Sequence, residues 1–219
     1  MKASVVILAA GEGTRMKSSL PKALQFLAGK PMLEHVKQAT LLLKADQTIV
    51  VCSPGAQERI QKTNNSSGEG VTCVQQEEAL GTGHALKCAL SKINQDNVVL
   101  VLLGDAPLVQ PSTLQKLVAS ASKNSLALLT ANIANPKGYG RIVRNTNNEI
   151  IAILEEDECT EKQRNIKEVN SGIMAFPPNR IGQWLERLSA NNKKGEYYLT
   201  DVIGLASEDG TFIDSVKPQ

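Results

Sequence analysis

The segment LAAGEGTRM, Leu8–Met16, runs out of an apolar stretch through Ala9, Ala10 and Gly11 and turns again at Gly13. Small residues let backbone N–H groups approach phosphate oxygens, and glycine supplies the backbone angles that such a loop needs. Arg15 lies in this loop, and Lys22 follows in SSLPK. A glycine loop with two cations beside it suits the charge of a triphosphate. The GK[ST] ending of a Walker loop and the third glycine of a dinucleotide fingerprint are both missing. A tight turn with solvated charges would use the same residues.

Three further segments carry polar chemistry. In LLGDAPL, Leu102–Leu108, Asp105 follows Leu103 and Gly104 at the end of an all-apolar run. A carboxylate there is costly unless paired or metal-bound. Mg²⁺ takes one or two protein carboxylates and completes its shell with phosphate oxygens and water, so Asp105 is the candidate ligand. A turn or N-cap before Pro107 is its other use. In QQEEALGTGHA, Gln75–Ala85, the Gln76 amide can accept from N3–H of uracil and donate to O4. Flipped, it pairs with cytosine, so Gln76 alone does not select the base. A rigid backbone group near Gly81 would discriminate better. A βα loop with Thr82 as N-cap needs the same residues. The last set is Gly138–Arg141 (GYGR), Glu155, Asn170 and Glu196–Tyr198, which could bind sugar hydroxyls or sit at solvated strand ends.

These residues need elements to hold them. Val5–Ala10, Thr48–Cys52 and Val98–Leu103 are continuous apolar runs, as in strands buried on both faces of a parallel sheet. Helical spacing over Met32–Lys44, Thr82–Ile93 and Pro111–Ala121 separates them, with Met32, Val36, Ala39 and Leu43 on one stripe. Alternation of this kind is the α/β signature, with right-handed crossovers. Strands are also expected at Val71–Val74, Leu126–Ala131, Glu168–Phe176 and Thr211–Val216, a hairpin from Arg141–Arg144 and Ile150–Leu154, and helices at Ile181–Leu188 and Tyr198–Ala206. Asn64–Gly70, NNSSGEG, reads as a loop. The hairpin region reads as a substrate lobe on a nucleotide-binding sheet.

Composition narrows the classes. The chain has 219 residues, 42% of them apolar, which suits one domain with a substantial core. A net charge of +2 provides no field for duplex nucleic acid or an anionic membrane surface, so neither is an expected partner. No apolar run is long enough to span a bilayer, and GEGTR stands where a signal peptide would have its cleavage site. A cytoplasmic protein is expected. Cys52, Cys73, Cys88 and Cys159 lack the spacing of a zinc site or a disulfide framework, and read as reduced thiols. His35 and His84 are too few for a multi-histidine metal site and read as structural.

Seven motifs in order, LAAGEGTRM, LPKALQFLAGKPMLEHV, LGTGHA, GDAPL, GYGRI, VNSGI and GEYYLTD, cover nearly the whole chain. Together they closely resemble the N-terminal uridylyltransferase domain of GlmU-type N-acetylglucosamine-1-phosphate uridylyltransferases. The resemblance implies a Rossmann-like nucleotidyltransferase fold, mostly parallel, with helices on both faces and a small sugar-binding lobe. It implies transfer from UTP to N-acetylglucosamine 1-phosphate with Mg²⁺ as cofactor, giving UDP-N-acetylglucosamine and pyrophosphate for cell-wall synthesis. By position, Leu8, Ala9, Ala10 and Gly11 would cradle uridine and phosphates, and Arg15 and Lys22 would serve the triphosphate. Gln76, Gly81 and Thr82 would meet the uracil side. Leu103 and Gly104 would line the site beside the metal ligand Asp105. Gly140, Glu155 and Asn170 would contact sugar and ribose.

Leu103 stands where the family often has a polar or aromatic residue, and Ala79 where a polar one is common. The family's next segment, with an Asn that completes the metal site, lies beyond Gln219, as does its left-handed β-helix acetyltransferase domain. The sequence reading therefore expects one nucleotidyltransferase domain over 1–219, no acetyltransferase activity, weakened Mg²⁺ affinity and a monomer. Two other readings fit the residues: another sugar-1-phosphate nucleotidylyltransferase, or a non-catalytic sugar-nucleotide-binding relative.

Overall fold

A computed structural model describes residues 2–11, 13, 16–18, 20–67, 70–121 and 124–218, the side chains of 63–67 excepted. In chain order the elements are β1 (Ala3–Ala9), β2 (Phe26–Leu27), β3 (Lys30–Pro31), α1 (Met32–Leu43), β4 (Gln47–Cys52) and α2 (Pro54–Ser67). There follow β5 (Val71–Gln75), α3 (Thr82–Ala89), β6 (Val98–Leu103), α4 (Pro111–Ser120) and β7 (Ser125–Asn132). The last are β8 (Arg141–Arg144), β9 (Ile150–Leu154), α5 (Glu161–Arg164), β10 (Glu168–Phe176), α6 (Ile181–Arg187), α7 (Asp201–Glu208) and β11 (Phe212–Val216).

Among the described residues, nine strands share one mixed sheet whose main path runs β11-β7-β10-β6-β1-β4-β5. The β6-β1-β4-β5 portion is parallel, β11 runs parallel to β7, and β10 is antiparallel to both β6 and β7. The β8–β9 hairpin joins this sheet where Arg141 pairs with Val169 of β10. The fold is thus α/β with a mostly parallel sheet, as the apolar runs predict.

Side-chain alternation along β1 divides the core. Val5, Ile7 and Ala9 face a cluster with Leu33, Val36 and Ala39 of α1, Ala56 and Ile60 of α2, and Leu114 and Leu117 of α4. Val6 and Leu8 face the opposite cluster, with Ala85 and Leu86 of α3, Trp184 of α6, and Val202 and Ile203 of α7. Successive strand residues point to opposite faces, so one apolar run feeds both layers.

Three expectations need correction. The loop read at Asn64–Gly70 is helical up to Ser67, as the end of α2. Ala56 and Ile60, one turn apart, anchor that helix on the sheet, and propagation past an anchored turn costs little even through Asn and Ser. The helix read from Tyr198 starts at Asp201, because Leu199 N donates to Thr82 Oγ1 and Thr200 Oγ1 donates to Glu155. On α1 the buried stripe includes Leu33 rather than Met32. None of the four cysteines is in a disulfide, and burial pushes the Cys52 thiol up to about 12. Among the described residues no helix is long and apolar enough to cross a membrane.

Glu168 ties the hairpin to the sheet. It accepts from Thr130 Oγ1 of β7 at 2.9 Å and from Arg144 Nε of β8 at 2.9 Å, and Arg144 also donates to Ser215 of β11. Arg144 first, then Thr130, holds the Glu168 carboxyl below its ordinary 4.5. A depressed carboxyl stabilises the fold above its unfolded value, and that contribution is lost as pH falls below about 4.5 through the folded value. Urea midpoints measured from pH ~7 down to pH ~3 should fall more steeply for the native chain than for Glu168→Gln, which has no charge to lose. Parallel profiles would remove this ion pair from the acid response.

Candidate active site

The chain crosses from β1 to β4 and β5 on one side, then returns to β6 on the other side of β1. The carboxyl ends of β1 and β6 therefore flank a topological switch point, where open α/β sheets form their ligand crevice. A cavity of about 320 Å³ lies there. Leu8, Ala9, Ala10 and Gly11 line it from the end of β1, and Leu103 and Asp105 from the end of β6. Lys22, Ala23, Gln76, Ala79, Gly81, Thr82, Ala85 and Glu196 complete the lining.

Close backbone contact sets this geometry. Gly104 N donates to Leu8 O at 2.9 Å, and a side chain on Gly104 would meet Ala9 Cβ at 2.9 Å. Gly104 thus lets the Asp105 turn lie against the glycine loop. Gly13 has φ +64°, and a Cβ there would approach Lys22 Cβ to 2.7 Å. Lys22 opens a short 3₁₀ turn, Lys22–Leu24, and its Nζ makes an ion pair with Asp105 Oδ2. Cation and carboxylate meet at the cavity wall with the Lys22 side chain 46% exposed and that of Asp105 25% exposed, so both remain open to solvent and ligand. One carboxylate beside a cleft of this size suits a divalent cation that takes its other ligands from phosphate oxygens and water. No cluster of three or more His, Cys, Asp or Glu able to hold a metal occurs among the described residues.

On the other wall, Gln76 is buried, and its Nε2 donates to Gly81 O at 3.1 Å and to His84 Nδ1 at 3.0 Å. Gly81, at φ +104°, is the N-cap of α3, which corrects the Thr82 cap reading. Thr82 instead accepts from Leu199 N at 3.1 Å. Gly83 N donates to Tyr197 O and Tyr197 N to Leu80 O, both at 2.8 Å. The segments 80–83 and 196–199 are therefore stitched together behind the cavity. Leu103 packs towards Gly172, where an added Cβ would meet Leu103 Cδ1 at 2.6 Å.

The sugar-side set stands differently. Gly140, Glu155 and Asn170 are not among the described residues that line the cavity. Asn170 N donates to Gly140 O at 2.9 Å, which joins the hairpin to β10, and Glu155 accepts from Thr200 Oγ1 at 2.9 Å. Arg141, read from GYGR as a sugar contact, is buried: it pairs with Glu156 Oε2 at 2.6 Å and donates to the Tyr139 and Arg164 carbonyls. Its donors are spent on residues flanking the hairpin. Burial, then Glu155 and Glu158, pushes the Asp201 carboxyl up. Arg15 lies outside the described residues. Ala23 and Ala85 line the cavity without having been expected to, since alanine carries no chemical signal beyond its small size.

Residues 5–166 match the model of the MobA-like NTP transferase domain. The chain belongs to that family. It is 44% identical over 214 residues to the bifunctional protein GlmU of Cellvibrio japonicus, covering 98% of this chain and 47% of that protein. It is 44% identical to GlmU of Alcanivorax borkumensis over 218 residues, 100% of this chain and 47% of that protein. The GlmU of Albidiferax ferrireducens is 48% identical over 210 residues, 94% of this chain and 45% of its own length. The chain thus spans about half the length of the curated relatives it matches. The crevice between β1 and β6 is at the position where open α/β sheets bind their ligands.

Gly81 is the most constrained position in this site. Its φ is one that L side chains rarely adopt, and an added Cβ would lie 2.6 Å from Tyr197 O, a backbone atom that cannot swing away. Gly81→Ala should cost about 1–3 kcal/mol of stability and weaken nucleotide binding. Chemical denaturation and titration calorimetry with nucleoside triphosphates would check both. Unchanged values would mean the 80–83 segment is not held as described.

Proposed function

We propose that this chain is a nucleotidyltransferase domain that transfers uridylyl from UTP to N-acetylglucosamine 1-phosphate, releasing pyrophosphate. The observation that carries the reading is the meeting of Lys22 and Asp105 at the glycine-loop end of the β1/β6 crevice. Family membership and the similarity to proteins named GlmU support it.

The reaction needs alignment and charge neutralisation more than proton transfer. A phosphate oxygen of the sugar phosphate attacks the α-phosphorus of UTP in line. The new P–O bond forms as the bond from the α-phosphorus to the bridging oxygen breaks, and that electron pair leaves with pyrophosphate. The attacking oxygen is already deprotonated near neutrality, so no general base is required. Lys22 sits where it can neutralise charge on the triphosphate, and Arg15 takes the same role from its place in the sequence. The small residues Ala9, Ala10 and Gly11 let backbone N–H groups close on phosphate oxygens. Asp105 would hold Mg²⁺, which supplies neutralisation of phosphate charge when bound. Positioning and electrostatics are the main catalytic terms in such transfers.

Gln76, Gly81 and Thr82 form the base side, and Leu8 with Leu103 and Gly104 shapes the floor. Gly140, Glu155 and Asn170 are assigned to sugar and ribose. Glu155 bonds Thr200, next to the Leu199 that donates to Thr82, and Asn170 bonds Gly140.

Pyrophosphate release should require UTP, N-acetylglucosamine 1-phosphate and Mg²⁺ together. Faster turnover with glucose 1-phosphate or dTTP in the same matrix would assign a different sugar-1-phosphate nucleotidylyltransferase. Pyrophosphate release in no combination would favour a binding protein.

Lys22→Ala and Asp105→Asn should each lower kcat on the order of a hundredfold, as loss of a preorganised charge does. Neither residue is in the core, so thermal midpoints should stay near that of the native chain. An unchanged kcat in both variants would rule out these roles.

A further inference from the structure

His84 touches Gln76 from the side away from the crevice. The cavity of about 320 Å³ is lined by Gln76 but not by His84, which instead lines a second cavity with Leu80, Lys87, Cys88 and Tyr197. His84 is therefore one shell removed from any base bound in the crevice, yet it holds the side chain that would meet that base.

The hydrogen-bond inventory settles which way the amide faces. Gly81 O is a carbonyl and can only accept, so the nitrogen of the Gln76 amide and not its oxygen must point to it, at 3.1 Å. The second hydrogen of the same nitrogen then goes to His84 Nδ1 at 3.0 Å. A ring whose Nδ1 accepts carries its proton on Nε2, and the Cys88 sulfur lies 3.8 Å from that nitrogen. Gly81 O is itself held, since it also accepts from Ala85 N at 3.1 Å in the first turn of α3. Both donors of the amide are spent, and what remains to offer is Oε1.

We propose that His84 is a positioning residue for base selection: with the Gly81 carbonyl it locks the Gln76 amide so that the crevice presents an acceptor alone. A free glutamine serves uracil and cytosine alike by flipping. A locked one accepts from N3–H of uracil, and opposes the unprotonated N3 of cytosine acceptor to acceptor. The inference rests on the uridylyl-transfer reading and names how that site would tell its two pyrimidine triphosphates apart.

The test compares His84→Leu, which keeps the bulk and removes the acceptor, with His84→Asn, whose Oδ1 can take the place of Nδ1. UTP and CTP affinities are measured by titration calorimetry with Mg²⁺ on the full chain, alongside kcat and KM. The UTP-over-CTP preference should fall about tenfold in His84→Leu, the scale of one hydrogen bond, through KM rather than kcat. His84→Asn should recover most of it. Should His84→Leu fail to fold, His84→Ala carries the same comparison. A native chain that prefers UTP, with His84→Leu or His84→Ala keeping the same preference, overturns the lock and leaves the uridylyl reading standing. A native chain that binds CTP as well as UTP overturns both.

Discussion

The hydrogen bond from Gly104 N to Leu8 O joins the ends of two parallel strands at the point where the chain reverses its direction across the sheet. Its consequences spread outward. Because Gly104 has no side chain, the turn after β6 approaches Ala9 closely enough for the Asp105 carboxylate to reach Lys22. Because β1 and β6 pair in register through Leu8 and Leu103, those two side chains flank one cavity. The apolar layers on both faces hold the two strands rigidly in place, so the polar groups on the loops inherit a fixed spacing. The chemistry depends on a backbone contact that no titratable residue makes.

The parts legible in the sequence are those carried by local pattern. Apolar runs such as Val98–Leu103 announce buried strands whichever tertiary partner they find, and the glycine loop and Asp105 follow directly from where those runs stop. Pairings between distant residues were not legible. Nothing local says that Arg141 turns inward to Glu156, or that Lys37 on α1 is buried against Glu34. Nor does any motif say that Thr82 leaves its own helix end to receive Leu199 N. The end of α2 was misread for a related reason: NNSS is poor helix-forming sequence, and the anchoring at Ala56 and Ile60 overrides it.

Polar residues in this protein fall into two kinds. Arg144 and Glu168 fasten the β8–β9 hairpin to the sheet, and Arg141 with Glu156 ties β8 to the turn after β9. Lys22 and Asp105 are paired with each other while Lys22 stays half exposed at the cavity wall. Between Arg141 and Lys22 the difference is burial rather than residue type. A guanidinium that is 1% exposed is scaffold, whereas an ammonium that is 46% exposed is available.

The stitch between 80–83 and 196–199 has a consequence for the order of assembly. Its Leu199-to-Thr82 bond joins residues 117 apart in the chain. The β1–β6 pairing already closes a loop of similar length, so what delays this bond is that its second partner is made late. During synthesis the strands β1, β4, β5 and β6 can emerge and pair while the 80–83 segment still lacks its partner. The 80–83 segment gains its partner only after residue 199 has left the ribosome, so a nascent chain can pair the strands flanking the crevice well before the crevice is complete.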